Sequence, residues 1–94
     1  MDKNMFVFTG VIIKEPEGFS SLCLEVDVAS QGETIEEAKN NLLEAVTLYL
    51  ESAIESNLVI LRPVPEDENP VKVRPNDVVE TFKINIDFEV KVYA

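Results

Sequence analysis

Histidine is missing from this sequence of 94 residues, and cysteine occurs once, at Cys23. Without histidine the chain lacks the commonest general base and the commonest transition-metal ligand. One cysteine cannot form an internal disulfide or a metal cluster, and no Cys–His pair exists to activate it as a nucleophile. We therefore predict that Cys23 is a packing residue, that the protein is not an enzyme and that it uses no cofactor.

Basic residues are also few, since 8 Lys and Arg stand against 18 Asp and Glu, for a formal net charge of −10. Direct nucleic-acid binding depends mainly on Lys and Arg that neutralise phosphates, so we do not expect it here. The charge favours a basic protein partner. It is equally typical of a small domain that only has to stay soluble.

Long apolar runs are absent as well. No stretch reaches the roughly 18 apolar residues that cross a bilayer, and the apolar stretch near the start is too short for a secretory signal. These features, with the single cysteine, predict a cytoplasmic protein. The length and the apolar content of 46% predict a single domain over residues 1–94 with one core.

The first third of the chain predicts two strands joined by a turn. Residues 5–14 are apolar on both faces of a strand, which indicates burial on both sides, and Gly10 within them marks a bulge or a close approach of the helix. Residues 15–18 suit a type I turn. Residues 19–28 then alternate between apolar and polar positions. The apolar face of this second strand is predicted to hold Leu22, Leu24, Val26 and Val28.

The middle of the chain predicts a long helix with a well-specified start. Gly32 supplies a turn, and Thr34 with Glu37 forms a capping box at the first helical turn. Apolar residues then recur at helical spacing from Ile35 onward, over roughly 20 residues or about 30 Å. Asn57 is the predicted left-handed stop.

The last third predicts little regular structure until its final strand. A short extended piece is predicted over residues 58–62. Residues 63–77 contain four prolines, which predict a long loop and exclude a helix or a central strand. Residues 80–93 alternate cleanly and predict a long strand that overhangs its neighbours. Its apolar face holds Phe82, Ile84, Ile86, Phe88 and Val90. The predicted class is α+β, a mainly antiparallel sheet of three to four strands with one long helix packed on one face.

Two strings around the helix are distinctive. Residues 30–38 read SQGETIEEA, and residues 44–50 read EAVTLYL. They are similar to the S-Q-G-D/E-T-x-E-E-A and E-A-x-x-x-Y-L strings of the N-terminal domain of HicB-type antitoxins, a resemblance that covers about residues 6–54. Where that family commonly has Pro-Gly-Cys before the first string, this chain has Asp27-Val28-Ala29.

The resemblance to HicB-type antitoxins implies a partial ribonuclease-H-like domain without that fold's catalysis. It also implies binding and neutralisation of a small basic messenger-RNA-cleaving toxin of the HicA type. In complete members a separate C-terminal unit binds the operator, and residues 58–94 do not resemble such a unit. The chain is expected to be a stand-alone HicB-like domain.

Several acidic residues of the predicted helix form one line. Glu37, Glu44 and Glu51 are seven residues apart and Glu55 follows, while Lys39 is the only basic residue between positions 33 and 55. The line suits the docking of a basic partner. It is also what the solvated face of an amphipathic helix looks like.

Two further hypotheses stay open at this stage. The chain is expected to be a homodimer or homotetramer, because the apolar face of the final strand is longer than one helix can cover. An oligomer without any toxin partner is the alternative function. A third and weaker alternative is a metal-dependent nuclease that uses Glu25, Asp27 and Asp87, since carboxylates two apart on a strand are typical Mg²⁺ ligands.

Overall fold

The structure is a computed structural model that describes the backbone of residues 2–90 and the side chains of residues 6–86. Four antiparallel strands form one sheet in the order β3-β2-β1-β4, and one long helix packs on it, which confirms the predicted α+β class. The strands are β1 (Asp2–Glu15), β2 (Gly18–Cys23), β3 (Val28–Gly32) and β4 (Val78–Val90). The helices are α1 (Ile35–Glu55) and the short α2 (Pro70–Val73).

Helix α1 begins and ends where the sequence predicts. The hydroxyl of Thr34 accepts a hydrogen bond of 3.0 Å from the N–H of Glu37, and Asn57 has the predicted left-handed backbone with φ of 57°. The capping box is modified, because the Glu37 carboxylate accepts from the N–H of Glu33 at 3.3 Å instead of from Thr34. Two backbone donors are thus satisfied at the helix start, as a capping box requires.

The core lies between α1 and one face of the sheet. The buried residues of the helix recur every three or four positions and meet Phe8 of β1, Cys23 of β2 and Ile84 of β4. Phe6 and Phe8 stack with their ring centroids 5.9 Å apart. Burial of these side chains is the main stabilising contribution, at about 25 cal/mol per Å² of apolar surface. The buried helix residues are Ala38, Leu42, Val46, Leu50 and Ala53.

The proline-rich segment covers part of the second face of the sheet, so the prediction that residues 63–77 contain no helix is wrong. Pro70 is buried and occupies the first turn of α2, where proline's missing N–H costs nothing. Helix α2 and the 3₁₀ turn Pro75–Asp77 contact β1, whose Val11 and Ile13 are buried on that side. The prediction that β1 is covered on both faces is therefore confirmed at Val11 and Ile13 but not at Val7, which is 53% exposed.

The predicted second strand over residues 19–28 is wrong, because it is a hairpin of two strands. Residues 24–27 form its turn, in which Asp27 takes a left-handed φ of 50°. The alternation continues through this turn by coincidence, so the predicted apolar face is right for Val26 and Val28, which lie in or against the core, and wrong for Leu22. Cys23 lies in the core under α1, whereas its neighbour Leu22 pairs with Val11 and points to the opposite face.

The turn predicted at Gly32 is absent, and the short extended piece predicted over residues 58–62 is not part of the sheet. Gly32 is the last residue of β3, and a β-carbon there would lie 2.8 Å from the Glu37 carbonyl carbon. Glycine is therefore needed for close packing of the strand end on α1. Residues 58–62 have no regular structure. The N–H of Arg62 nevertheless donates to the Glu25 carbonyl at 2.9 Å, which ties this segment to the β2–β3 turn.

Strands β1 and β4 pair over almost their whole length, so β4 does not overhang its neighbour β1 as predicted, and the two strands together overhang the rest of the sheet. Their ladder runs from Asp2 opposite Val90 to Ile13 opposite Val78, with a register shift near Ile12. Strand β2 pairs with β1 only from Gly10 onward. Residues 2–8 of β1 and 84–90 of β4 thus form a two-stranded ribbon.

Candidate functional site

An acidic ridge, consisting of Glu37, Glu44, Glu51 and Glu55, runs along the outer side of α1. All four side chains are exposed. Residues seven apart fall on one line of a helix, because seven residues complete about two turns at 3.6 residues per turn. This line lies on the side of α1 opposite its buried residues. Successive ridge carboxylates at that spacing are about 10 Å apart along the axis. Such spacing leaves room for basic side chains between them.

The acidic ridge has an exposed leucine at its centre. Leu48 lies four residues after Glu44 and three before Glu51, so it falls on the same line of the helix, and its side chain is 58% exposed. The acidic line predicted from the sequence did not include Leu48. The signal was present, because Leu48 is out of phase with the buried helix residues. An apolar side chain rimmed by charges is how protein-binding hot spots are commonly built.

The one basic residue of α1 does not neutralise the acidic ridge. Lys39 forms an ion pair with Glu80 of β4, and its ammonium group lies 5.0 Å from the centroid of the Phe82 ring. Both contacts hold Lys39 against β4, at the side of the helix. The ridge therefore presents negative charge without a basic neighbour from its own helix.

An acidic cleft adjoins the ridge at the start of α1. Its volume is about 440 Å³, and Glu37 belongs both to the cleft and to the ridge. Arg74 contacts one of its carboxylates, that of Glu15, at 3.0 Å, which leaves a surplus of negative charge. The cleft is lined by Glu15, Glu17, Phe19, Ser20, Gln31, Gly32, Glu33, Glu37 and Asn41.

The two carboxylates of the nuclease hypothesis do not share a strand face. Glu25 and Asp27 both lie in the β2–β3 turn. The Glu25 carboxylate accepts hydrogen bonds from the N–H and the hydroxyl of Thr9, at 2.7 and 2.8 Å, whereas Asp27 is exposed. The side chain of Asp87 lies outside the described residues. Within the described part of the chain, no three His, Cys, Asp or Glu side chains are grouped so as to hold a metal ion.

Cys23 and Tyr49 are held by packing and hydrogen bonding. Cys23 is buried, and burial raises the pKa of its thiol from 9.0 to about 11, so the reactive thiolate is scarce at neutral pH. Tyr49 is half-buried, and its hydroxyl donates to the Ile60 carbonyl at 3.0 Å. The Arg62 guanidinium lies 5.5 Å from the Tyr49 ring centroid. Tyr49 therefore fixes the segment that follows α1.

The residues predicted for an oligomer interface lie mostly beneath α1. Ile84 and Ile86 are buried in the chain's own core, and Phe82 is partly buried against it. The side chains of Phe88 and Val90 lie outside the described residues. A role of this set in oligomerisation stays a prediction. Because Ile84 and Ile86 lie in the core, the backbone of β4 is the part of the strand that another chain could contact.

Comparison with known proteins finds one informative relative. The chain is 36% identical over 72 residues to the UPF0150 protein ssr1765 of Synechocystis sp., and the match covers 74% of this chain and 86% of that protein. No family model matches the chain, and no solved structure matches it significantly. No helix in the described part of the chain is both long enough and apolar enough to span a membrane.

Proposed function

This chain belongs to the UPF0150 family, which is HicB-like, and on that premise we propose that it is a non-catalytic, cytoplasmic module that binds a basic protein. The binding surface is the acidic ridge of α1 with Leu48 at its centre. The observation that carries the proposal is an exposed leucine flanked along one helix line by carboxylates that no basic residue of α1 neutralises.

The carboxylates and the leucine of the ridge contribute differently to binding. Exposed carboxylates attract a basic partner and accelerate its encounter, but each contributes little to the final affinity. The apolar contact contributes more once water is excluded from it. The resemblance to HicB-type antitoxins names the partner class, a small basic ribonuclease toxin of the HicA type, and the role of this chain is then neutralisation of that toxin.

A second candidate function is an oligomeric domain without a toxin partner. It is favoured by the long open edge of β4, which pairs with β1 on one side and with no other strand among the described residues. The two functions are compatible, because the acidic ridge and the β4 edge are separate surfaces.

The test is co-expression with the protein encoded beside this one, followed by affinity capture and light scattering after size-exclusion chromatography. A complex with a small basic protein is expected, and raised salt weakens it. The variant Glu44→Lys/Glu51→Lys should weaken the complex on the order of 100-fold, and Leu48→Ala on the order of tenfold.

The matched control is Asp67→Lys/Glu68→Lys, which changes the net charge equally but on exposed residues of the 3₁₀ turn Glu66–Glu68, away from α1. Retained binding by this control places the interface on the ridge. Equal loss in both double variants would show only a general effect of charge and would remove the ridge from the proposal. A neighbour that forms no complex would favour the oligomeric function.

A further inference from the structure

Strand β4 is a long edge strand whose protection is limited to charged side chains such as Lys83 and a register shift near its start. It has 13 residues, whereas the opposite edge strand β3 has five. Natural edge strands avoid pairing with other chains by being short, by carrying proline, bulges or charged side chains, or by being covered. From Val79 to Val90, β4 contains no proline, and its ladder with β1 is regular over residues 80–90.

The hydrogen bonds of Thr9 show which groups of β4 face outward. Thr9 directs its N–H to Glu25 and its carbonyl to the N–H of Leu24, at 2.7 and 3.0 Å, so both groups point toward β2. Backbone groups alternate in direction along an antiparallel strand. Those of Gly10 therefore point toward its partner Phe82 on β4.

The same alternation then applies along β4. Phe82 and Ile84 direct their backbone groups to β1, whereas those of the odd-numbered residues point away from the sheet. Lys83 and Asn85 are exposed members of this outward set. A strand that approaches this edge would find regularly spaced donors and acceptors.

We propose that β4 pairs in antiparallel fashion with β4 of a second copy of this chain, around a two-fold axis at Ile84. Ile84 is the midpoint of Val78–Val90, so this register pairs the full length of both strands. It places Lys83 opposite Asn85 of the other copy, in a pair that exchanges two backbone hydrogen bonds. The result is one continuous sheet in the order β3-β2-β1-β4-β4-β1-β2-β3.

The proposed dimer would also support the overhanging β1–β4 ribbon. A two-stranded ribbon in water is only marginally stable by itself. With the axis at Ile84, residues 84–90 of one copy lie beside residues 78–84 of the other, so each ribbon gains the partner's β4 as a third strand. A foreign strand would need the same length to give this coverage, whereas a second copy has it by symmetry.

Glu80 is the only carboxylate among the described side chains of β4, so few acidic groups meet at this edge. Two chains of net charge −10 repel each other wherever carboxylates face carboxylates. Beside β4, a groove of about 270 Å³ is instead lined by Lys39, Lys83 and apolar residues including Leu43, which is 44% exposed. Glu80 is already paired with Lys39. The dimer buries Leu43 and the open side of Phe82, beside the Lys39–Glu80 ion pair.

The first test uses proline to remove one outward N–H on either edge. Asn85→Pro removes an N–H that the proposed pair needs and leaves the β1–β4 bonds intact. Its matched control is Ala29→Pro on β3. Ala29 is exposed and follows Val28, the partner of Cys23, so its own groups point outward. Light scattering on the chain alone should show a dimer for the wild type and for Ala29→Pro. The Asn85→Pro dimer should be weaker on the order of 100-fold.

A second test measures the register between the two β4 strands and does not depend on whether a proline variant folds. Chains carrying Lys83→Cys are mixed with chains carrying Asn85→Cys under mild oxidation, since paired Cα atoms about 5.5 Å apart suit a disulfide. Val79→Cys mixed with Asn85→Cys is the control, because those positions lie far apart in the proposed register. Native Cys23 is buried and does not compete.

Fast cross-linking of the 83–85 mixture and slow cross-linking of the control support the proposal. It is overturned by a monomeric wild type, by equal weakening in both proline variants, or by cross-linking that favours the control mixture. The inference does not depend on the proposed basic partner, because every measurement uses this chain alone. Reversing the charges of Glu44 and Glu51 should leave the dimer intact.

Discussion

Thr9 and Glu25 are joined by two hydrogen bonds, from the Thr9 N–H and hydroxyl to the two oxygens of the Glu25 carboxylate, at 2.7 and 2.8 Å. The carboxylate thus stands in for the strand partner that β1 lacks just beyond the end of β2. It gives Glu25 a structural role in place of the metal-binding role considered from the sequence.

Removing this carboxylate should destabilise the fold. Glu25→Ala leaves a partly buried N–H of β1 without an acceptor, and we expect a loss of about 1–3 kcal/mol in the free energy of unfolding. Urea denaturation measures the loss, and exposed Asp27→Asn in the same turn should change it little. If Mg²⁺ or Mn²⁺ raised the melting temperature of the wild type but not of Glu25→Ala, Glu25 would bind metal in addition to its structural role.

Two glycines should respond differently to alanine. A β-carbon at Gly32 would meet backbone atoms of α1, whereas one at Gly10 would meet only the ring of Phe82. The ring of a half-buried edge residue can swing away, but the helix backbone cannot. We expect Gly32→Ala to cost about 1–3 kcal/mol and Gly10→Ala less. Thermal or chemical unfolding compares them, and Phe82→Leu should restore part of the stability of Gly10→Ala.

Cys23 should make the stability depend on pH in the alkaline range. The folded chain holds the thiol pKa at about 11, against 9.0 as its ordinary value. The unfolded chain therefore ionises first, and the free energy of unfolding falls as pH rises from about 9 to about 11. Wild type should lose about 2–3 kcal/mol more than Cys23→Ala over this range. If the free energy of unfolding fell equally with pH in the wild type and in Cys23→Ala, the assigned pKa would be contradicted.

Tyr49 should control the order of the segment after α1. Tyr49→Phe removes the hydrogen bond to the Ile60 carbonyl, at an expected cost of about 0.5–1.5 kcal/mol. The amides of Arg62 and Val64, which donate to the β2–β3 turn, should exchange with deuterium faster. Exchange at Leu42 in the core of α1 is the internal control. An equal increase at all three amides would indicate global destabilisation instead.

The helix, its first turn and the long final strand were predictable because their signals are local. Thr34 caps the N–H of a residue three positions away, and the β4 alternation is continuous. The β2–β3 turn was missed because Leu24 and Val26 continue the apolar alternation through it, and the left-handed backbone of Asp27 leaves no pattern. Helix α2 was missed because proline at a first turn was interpreted as a helix breaker.

The candidate site was predictable only in part, for a similar reason. The acidic line followed from the spacing of glutamates, but the importance of Leu48 depends on which side of α1 the sheet covers. The direction of the β4 backbone groups depends on pairing between residues more than 70 positions apart, as at Gly10 and Phe82. Neither property is encoded locally.

The position of β1 between β2 and β4 has a consequence for synthesis. Strands β2, β3 and α1 follow β1 directly, so a chain growing from its N-terminus can assemble them early. The β4 side of β1 stays open until residues 78–90 emerge, and contacts so distant in sequence form slowly. A nascent chain that has reached Asp77 therefore exposes one edge of a 14-residue strand that contains Phe6 and Phe8, and it depends on chaperones or on rapid completion to avoid aggregation.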